Sequence, residues 1–394
     1  MKKIGLIAGF FVLLFSASSI QGHLVSTRTE WVSYATIQGG VQDLAISPDG
    51  KILAAADASG KIRLYNLPNG TYNNTFYAHD YFTMRLDFSS EGLLATTGRD
   101  GKNEIWNIST RIKVWENPII NSWADCISFS PDDRYFLSGE GCNPTWNPGA
   151  CSERFGNLTI WDLENDNIIY NITGFSRTPN DIQFSPTNSD VFACAEANTI
   201  SFWDITTGEL IKSMQTGDEG KLHSVNYSPD GKILASASWD ESVKIWNIST
   251  TDLITTLEHE FSPWAVAFSP DGKLLATSEG KRNTYEDQTF PIHDPTIRIY
   301  DTTTFEVVQK LKGHKTAIVR VIFSPAGTFN PPILASGDII GEIRLWKQQE
   351  IEKAGNGVTG FDLFSGVTLC VAISLVIKQS NRKKKGIIYN NRKN

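Results

Sequence analysis

A polar turn recurs seven times along this chain, each time ahead of a short apolar stretch that ends in an aromatic residue. The turns open at Ser47, Ser89, Ser130, Ser185, Ser228, Ser269 and Ser324. The aromatic residues are Tyr65, Trp106, Trp161, Trp203, Trp246, Tyr300 and Trp346. A fixed period of roughly 40 residues marks an array of small, similar sheets. The expected fold is therefore all-β, built from seven repeats.

The segment 224–258 displays the physics of one repeat. Residues 225–227 form a short β-rich run, closed by Ser228-Pro229-Asp230-Gly231. Proline presets φ at the first central position of a turn, Asp suits the second, and Gly tolerates the positive φ that follows. Residues 233–237 make a second strand, Trp239-Asp240-Glu241-Ser242 a second turn, 243–246 a third strand and 253–257 a fourth. A sheet of four short strands cannot bury its own faces, so it must stack on its neighbours.

The Trp161-Asp162 and Trp203-Asp204 pairs, the Gly313-His314 pair and the Ser-Pro-Asp-Gly turns resemble the WD-repeat β-propeller family over about residues 31–347. The resemblance implies a seven-bladed propeller acting mainly as a protein-interaction platform. It also implies a bonded set in each blade: a His between blades, a Ser or Thr, an Asp in the second turn, and the Trp. Blade five offers Ser238, Asp240 and Trp246, with Asp218 at the His position. Blade two offers His79, Asp100 and Trp106, with Gly98 at the Ser position. Blade seven offers His314 and Trp346, with no Asp where one should fall. No complete set is expected, and apolar stacking is expected to hold most blades. His79, His259 and His314 are expected to be structural hydrogen bonders rather than ligands.

The ends complete the organisation. After Trp346 no fourth strand follows, while 31–36 reads as a surplus strand before the first turn, so the N-terminal strand is expected to close the last blade. A closed ring leaves fewer exposed sheet edges. Residues 1–21 read as a secretory signal peptide or an uncleaved signal anchor. The propeller takes 22–347, a linker 348–357, a C-terminal transmembrane helix 358–377, and a basic cytoplasmic tail 378–394. Twenty residues at about 1.5 Å each just cross a hydrocarbon core of roughly 30 Å. The basic flank behind them indicates the cytoplasmic side. The expected topology is single-pass, with the propeller outside the cytoplasm, at the cell surface or in a secretory lumen.

Charge then becomes informative. With Lys2, Lys3 and the seven basic residues after Ile377 set aside, 27 basic residues face 43 acidic ones, a balance of −16 against −7 for the whole chain. Nucleic acid is not expected as a partner, since it needs a basic surface. Basic protein partners, or solubility alone, fit the acidity. Cys142 and Cys151 flank one loop and form either a disulfide or two free thiols. Cys126 and Cys194 read as buried strand residues and Cys370 falls in the expected span. The spacing does not suit zinc. Possible glycosylation sequons stand at Asn69, Asn73, Asn107, Asn157, Asn171 and Asn247, with another at Asn226 expected within a strand. Asn, Ser and Thr are also ordinary turn residues.

The repeat is regular except in two places. From turn Ser to strand aromatic the spacing is 17 or 18 residues in blades one, two, four and five, 22 in blade seven, and 31 in blades three and six. The long insertions follow Glu140-Gly141 and Glu279-Gly280, on the rim shared with the blade-to-blade loops. Loops on a rigid scaffold tend to carry function. Trp146, Tyr285 and Phe290 in the insertions, with Arg99, Trp123, Trp239 and Trp264 on other rim loops, are the candidate partner-binding face. Packing beneath the loops or between blades is the alternative for each aromatic residue.

No phosphate-binding loop, zinc-protease motif or nucleophile elbow is present. No catalytic residue, cofactor or metal is assigned. The expected function is a non-catalytic, membrane-anchored scaffold for a protein partner. Two alternatives stand beside it. One is a propeller hydrolase or lactonase with carboxylates such as Asp287 and Asp294 or a metal at the central channel. The other is a propeller resembling endomembrane exchange factors with a C-terminal anchor.

Overall fold

The computed structural model describes residues 27–117, 123–141, 156–217, 220–280 and 295–352. Seven four-stranded antiparallel sheets make up the described structure, and no helix occurs among the described residues. The chain divides into two units, one of residues 29–349 and one gathering 1–28 with 350–394. The first is a seven-bladed propeller. Of the second, only the outer ends of two strands are described.

In the first six blades the strands follow one another in chain order. Blade five runs Leu222–Tyr227, Ile233–Ser238, Ser242–Asn247, Leu253–Glu258. The first strand of each blade packs against the first strand of the next, and blade seven returns to blade one, so the ring closes. Blade seven differs as expected: its fourth strand is the N-terminal Thr27–Gln38, paired beside Glu342–Glu352. That third strand is longer than expected. Residues 348–352 extend it instead of starting a linker, because the 12-residue N-terminal strand lies alongside. Trp31 anchors the closure: it is buried, meets Phe323 edge-on at 5.8 Å, and its backbone exchanges two hydrogen bonds with the Gln309 side chain of blade six.

The recurring turns do what their residues dictate. Ser228 Oγ donates to Asp230 Oδ1 at 2.7 Å and accepts from Ile233 N at 3.1 Å, while Gly231 takes φ 68°. Blade three has Asp133 at the glycine position, where φ is 58°, and the Asp133 carboxylate accepts from Ser90 N and Oγ of blade two. In five blades the residue after the strand aromatic caps the following turn. Asp162, Asp204 and Asp301 each accept two backbone N–H groups, and so do Asn107 and Asn247.

Apolar stacking is the general adhesive. Seven buried clusters occur, one at each blade-to-blade interface, such as the one joining Phe202 and Met214 of blade four to Tyr227 and Trp246 of blade five. Burying one such side chain contributes about 1.5–3 kcal/mol. Cys126 and Cys194 are buried free thiols within the cluster between blades three and four, as expected.

The expectation that no blade carries a complete bonded set is overturned. In blade seven His314 Nδ1 lies 3.1 Å from Asp338 Oδ2, its Nε2 lies 2.6 Å from Ser336 Oγ, and Trp346 Nε1 donates to Ser336 Oγ at 2.8 Å. The acid is the last residue of the second strand, Leu334–Asp338, rather than a turn residue. In blades five and two the hydroxyl stands two residues before the expected position. Blade five uses Ser236, not Ser238, to accept from Trp246 Nε1 at 2.9 Å. Blade two uses Thr96, 2.9 Å from His79 Nε2, with Asp100 3.0 Å from Nδ1. There Gly98 is no missing serine: a Cβ at that position would stand 2.4 Å from the His79 ring.

In blade six Glu279 Oε2 lies 3.0 Å from His259 Nδ1 and 3.1 Å from Arg298 Nη2. All three histidines are structural hydrogen bonders, as expected. Burial raises the Glu279 pKa, but His259 and Arg298 outweigh it and the net direction is down. In blade three, Glu140 accepts from Ser138 Oγ at 3.1 Å. Glu279 is the last and Glu140 the next-to-last residue of the strands that lead into the two long insertions. From these positions Glu140 reaches the Ser138 hydroxyl and Glu279 the His259 ring, so neither blade needs a turn aspartate and the connection can be long.

Candidate interaction face

The inner strands of five blades carry a bulge near their starts, where two residues oppose one or an extra residue is left unpaired. The bulged residues are Met84, Asp125, His223, Trp264 with Ala265, and Val319. A bulge breaks the in-out alternation and re-aims a side chain. At this level, where the inner strands begin, the bulges gather an aromatic cluster. The His223 ring stacks on Trp264 with centroids 4.7 Å apart and an interplanar angle of 15°, and meets Trp239 edge-on at 5.4 Å. Trp239 is 50% exposed, on the turn between the second and third strands of blade five. Its backbone fixes the corner, accepting from Ser262 Oγ and donating to Lys221 O. Trp264 is half-buried and donates Nε1 to Gly280 O at 3.3 Å.

Among the expected face residues, Trp239 and Trp264 thus meet through His223. Arg99 is half-buried with its guanidinium 4.8 Å over the Phe82 ring, beside exposed Tyr81. Trp123 opens the strand Trp123–Phe129 opposite Gly141. Trp146, Tyr285 and Phe290 lie outside the described residues, as do Cys142, Cys151, Asp287, Asp294 and the segments 1–21 and 358–394. Among the described residues no helix is long and apolar enough to cross a membrane.

Charge around the mouth is concentrated and mixed. Burial raises the Asp125 pKa, opposed by Arg85, Lys221 and Arg99, which come from blades two and five and the rim. Burial lowers the Lys221 pKa, and Arg85 and Arg177 push it the same way against Asp125.

Further along the inner strands the carboxylates serve as latches between blades. Asp43 Oδ2 accepts from Leu86 N at 2.9 Å, Asp87 Oδ2 from Phe129 N at 2.7 Å, and Asp181 Oδ2 from Val225 N at 2.9 Å. Asn226 does the same for Phe268 N at 2.9 Å, a use of that sequon position the sequence did not suggest. Arg320 Nε stands 2.9 Å from Asp43 Oδ1 without the alignment of a hydrogen bond. Burial pushes Asp87 up to about 7, against the Phe129 amide and Arg320. A perturbed carboxyl is a candidate proton carrier, but this one is committed to a backbone amide. His314, Asp338 and Glu342 place ligand-type atoms within 4.8 Å of one another. Each is already bonded, Glu342 to Arg344 Nε at 2.6 Å.

The sequon asparagines fall into two groups. Asn69, Asn73 and Asn171 are exposed, whereas Asn107, Asn157 and Asn247 are half-buried. Asn107 and Asn247 occupy the turn-capping position taken by Asp in blades three, four and six, which explains Asn followed by Ser and Thr there.

The model for the WD domain, G-beta repeat, matches residues 208–247, 251–301 and 305–347, and the model for the anaphase-promoting complex subunit 4 WD40 domain matches 14–91. The transcriptional corepressor LEUNIG_HOMOLOG of Arabidopsis thaliana is 26% identical over 225 residues, 55% of this chain and 25% of that protein. The periodic tryptophan protein 2 homolog of Dictyostelium discoideum is 26% identical over 70% of this chain and 28% of its own length. The nuclear distribution protein PAC1 of Arthroderma benhamiae is 34% identical over 43% of this chain and 35% of its own length. The chain therefore spans well under half the length of these relatives.

Proposed function

Because the chain belongs to the WD-repeat β-propeller family, whose propellers typically serve as protein-interaction scaffolds, we propose that it is a non-catalytic scaffold, membrane-anchored with its propeller outside the cytoplasm. The partner is a protein, bound at the face that carries Arg99, Trp123, Trp239 and Trp264 together with Trp146, Tyr285 and Phe290 of the insertions. The observation that carries this reading is the cluster of Trp239, His223 and Trp264, with one Trp half exposed on a closed rigid ring. Partly exposed aromatic anchors on a preorganised surface are the usual source of interface energy. The anchoring rests on the apolar 358–377 followed by a basic flank, and the orientation on the apolar N-terminal segment behind Lys2 and Lys3.

Deletion of 142–155 and of 281–294, made separately, should each change the set of crosslinked partners while the ring stays folded. An unchanged set would remove the insertions from the face. Protease treatment of intact cells or vesicles tests orientation: on intact cells the reading expects a cleavable propeller and a protected tail at Lys383. The reverse pattern would place the propeller in the cytoplasm.

A further inference from the structure

Most interior basic residues of the propeller are matched by an acid. Arg63 lies 2.9 Å from Asp57, Lys244 3.1 Å from Asp240, Arg298 3.1 Å from Glu279, and Arg344 2.6 Å from Glu342. The bulge level departs from this rule. Arg85, Arg177 and Lys221 form no ion pair among the described residues. Arg85 Nη1 donates only to Met84 O at 3.1 Å, and its Nε is buried without a hydrogen-bond partner. Arg85 and Lys221 stand near Asp125, held half-buried on a bulge, together with Arg99; Arg177 stands near Lys221, and Asp181 is a second carboxyl near Arg85. Among these described groups four cations, Arg85, Arg99, Arg177 and Lys221, face two carboxyls, Asp125 and Asp181, on a chain whose net charge is −7.

We propose that this mouth takes an acidic segment of the protein partner, its Asp or Glu carboxylates against Arg85, Arg177 and Lys221 and an apolar side chain against Trp239. The proposal rests on the scaffold reading and narrows it. Half-buried Arg85 and Lys221 and exposed Arg177, none of them ion-paired among the described residues, keep donors that an arriving carboxylate fills. Burial lowers the Lys221 pKa and the like charges of Arg85 and Arg177 add to it, and an arriving carboxylate relieves that repulsion. A basic segment would meet like charge and face the cost of desolvating it. The acidic balance of the whole chain, which by itself favours basic partners, is thus offset beside the half-exposed Trp239.

The test is a fluorescence anisotropy titration of the purified full chain with a labelled short peptide rich in Asp and Glu and bearing one leucine. Matched peptides carry Gln or Lys in place of the acids. The acidic peptide should bind most tightly and weaken with salt. Lys221→Gln and Arg177→Gln should each lower its affinity by about three- to tenfold without moving Tm. Equal or tighter binding of the Lys peptide, affinity unaffected by both substitutions, or binding confined to a phosphorylated peptide would overturn the assignment. If the acidic peptide fails while crosslinked native partners still depend on Trp239, only the charge inference falls. If no partner depends on Trp239 or Trp264, the scaffold reading falls with it.

Discussion

Blades seven and five form the same bond, tryptophan N–H to strand hydroxyl, at 2.8 and 2.9 Å. Only blade seven adds a histidine and a buried acid behind that hydroxyl. Blade five is cut from one continuous segment, whereas blade seven is assembled from the two ends of the ring. The complete polar network therefore sits where chain connectivity gives no help. An ordered network specifies one register, while apolar stacking alone tolerates small slips.

The largest expected effect breaks this comparison directly. His314→Ala leaves Oδ2 of the fully buried Asp338 carboxylate unpaired, with only the Glu342 amide on Oδ1, and should cost about 3–5 kcal/mol. Ser236→Ala in blade five should cost only about 1–2 kcal/mol, since it strands a single indole N–H. Urea denaturation of both variants gives the two values, and equal losses would mean that the network at the closure has no special weight.

A second pair sharpens it. Trp346→Phe removes a bonded N–H, but Trp106 Nε1 in blade two is buried with no hydrogen-bond partner. Trp346→Phe should thus be the more damaging by about 1 kcal/mol, after the similar loss of ring area in both. Equal thermal shifts would point to a partner for Trp106.

A third prediction contrasts latches with anchors through pH. The Asp87 pKa is raised to about 7 in the fold from an ordinary 3.8, so the folded state retains the proton that the unfolded chain releases. Its contribution to stability is greatest in acid, falls as pH rises from about 4 to about 7, and is level above. Asp100 and Glu279 have lowered values, so their contributions are present above the ordinary carboxylate range and vanish on acidification. Asp87→Asn should make stability less steeply decreasing, or more steeply increasing, between about pH 4 and 7. An identical pH profile for wild type and variant would show that Asp87 titrates normally.

The smallest effect belongs to the face. Trp239, half exposed and bonded only through its backbone, should become Ala with a stability change within about 0.5 kcal/mol.

These contrasts also separate what the residues disclosed from what they concealed. The Ser-Pro-Asp-Gly turns announce the blade count, because each turn residue has its own conformational reason to be there. The surplus strand around Trp31 likewise announces the closure. The bonded sets are concealed because the acid stands two residues after the hydroxyl in blade seven, Ser336 and Asp338, but four after it in blade two, Thr96 and Asp100, and spacing alone does not reveal where a strand ends. Trp239 and Trp264 were recognisable as rim aromatics. His223 was not: in Leu222-His223-Ser224-Val225 it looks like an ordinary alternating position, and only the bulge turns it toward Trp264. Net charge likewise concealed the three unmatched cations.

The most direct test of the scaffold account is a crosslinking pull-down from native membranes with wild type, Trp239→Ala and Trp264→Ala chains of equal Tm. The account predicts that specific partners recovered with wild type are lost with the variants. An unchanged partner set would contradict it.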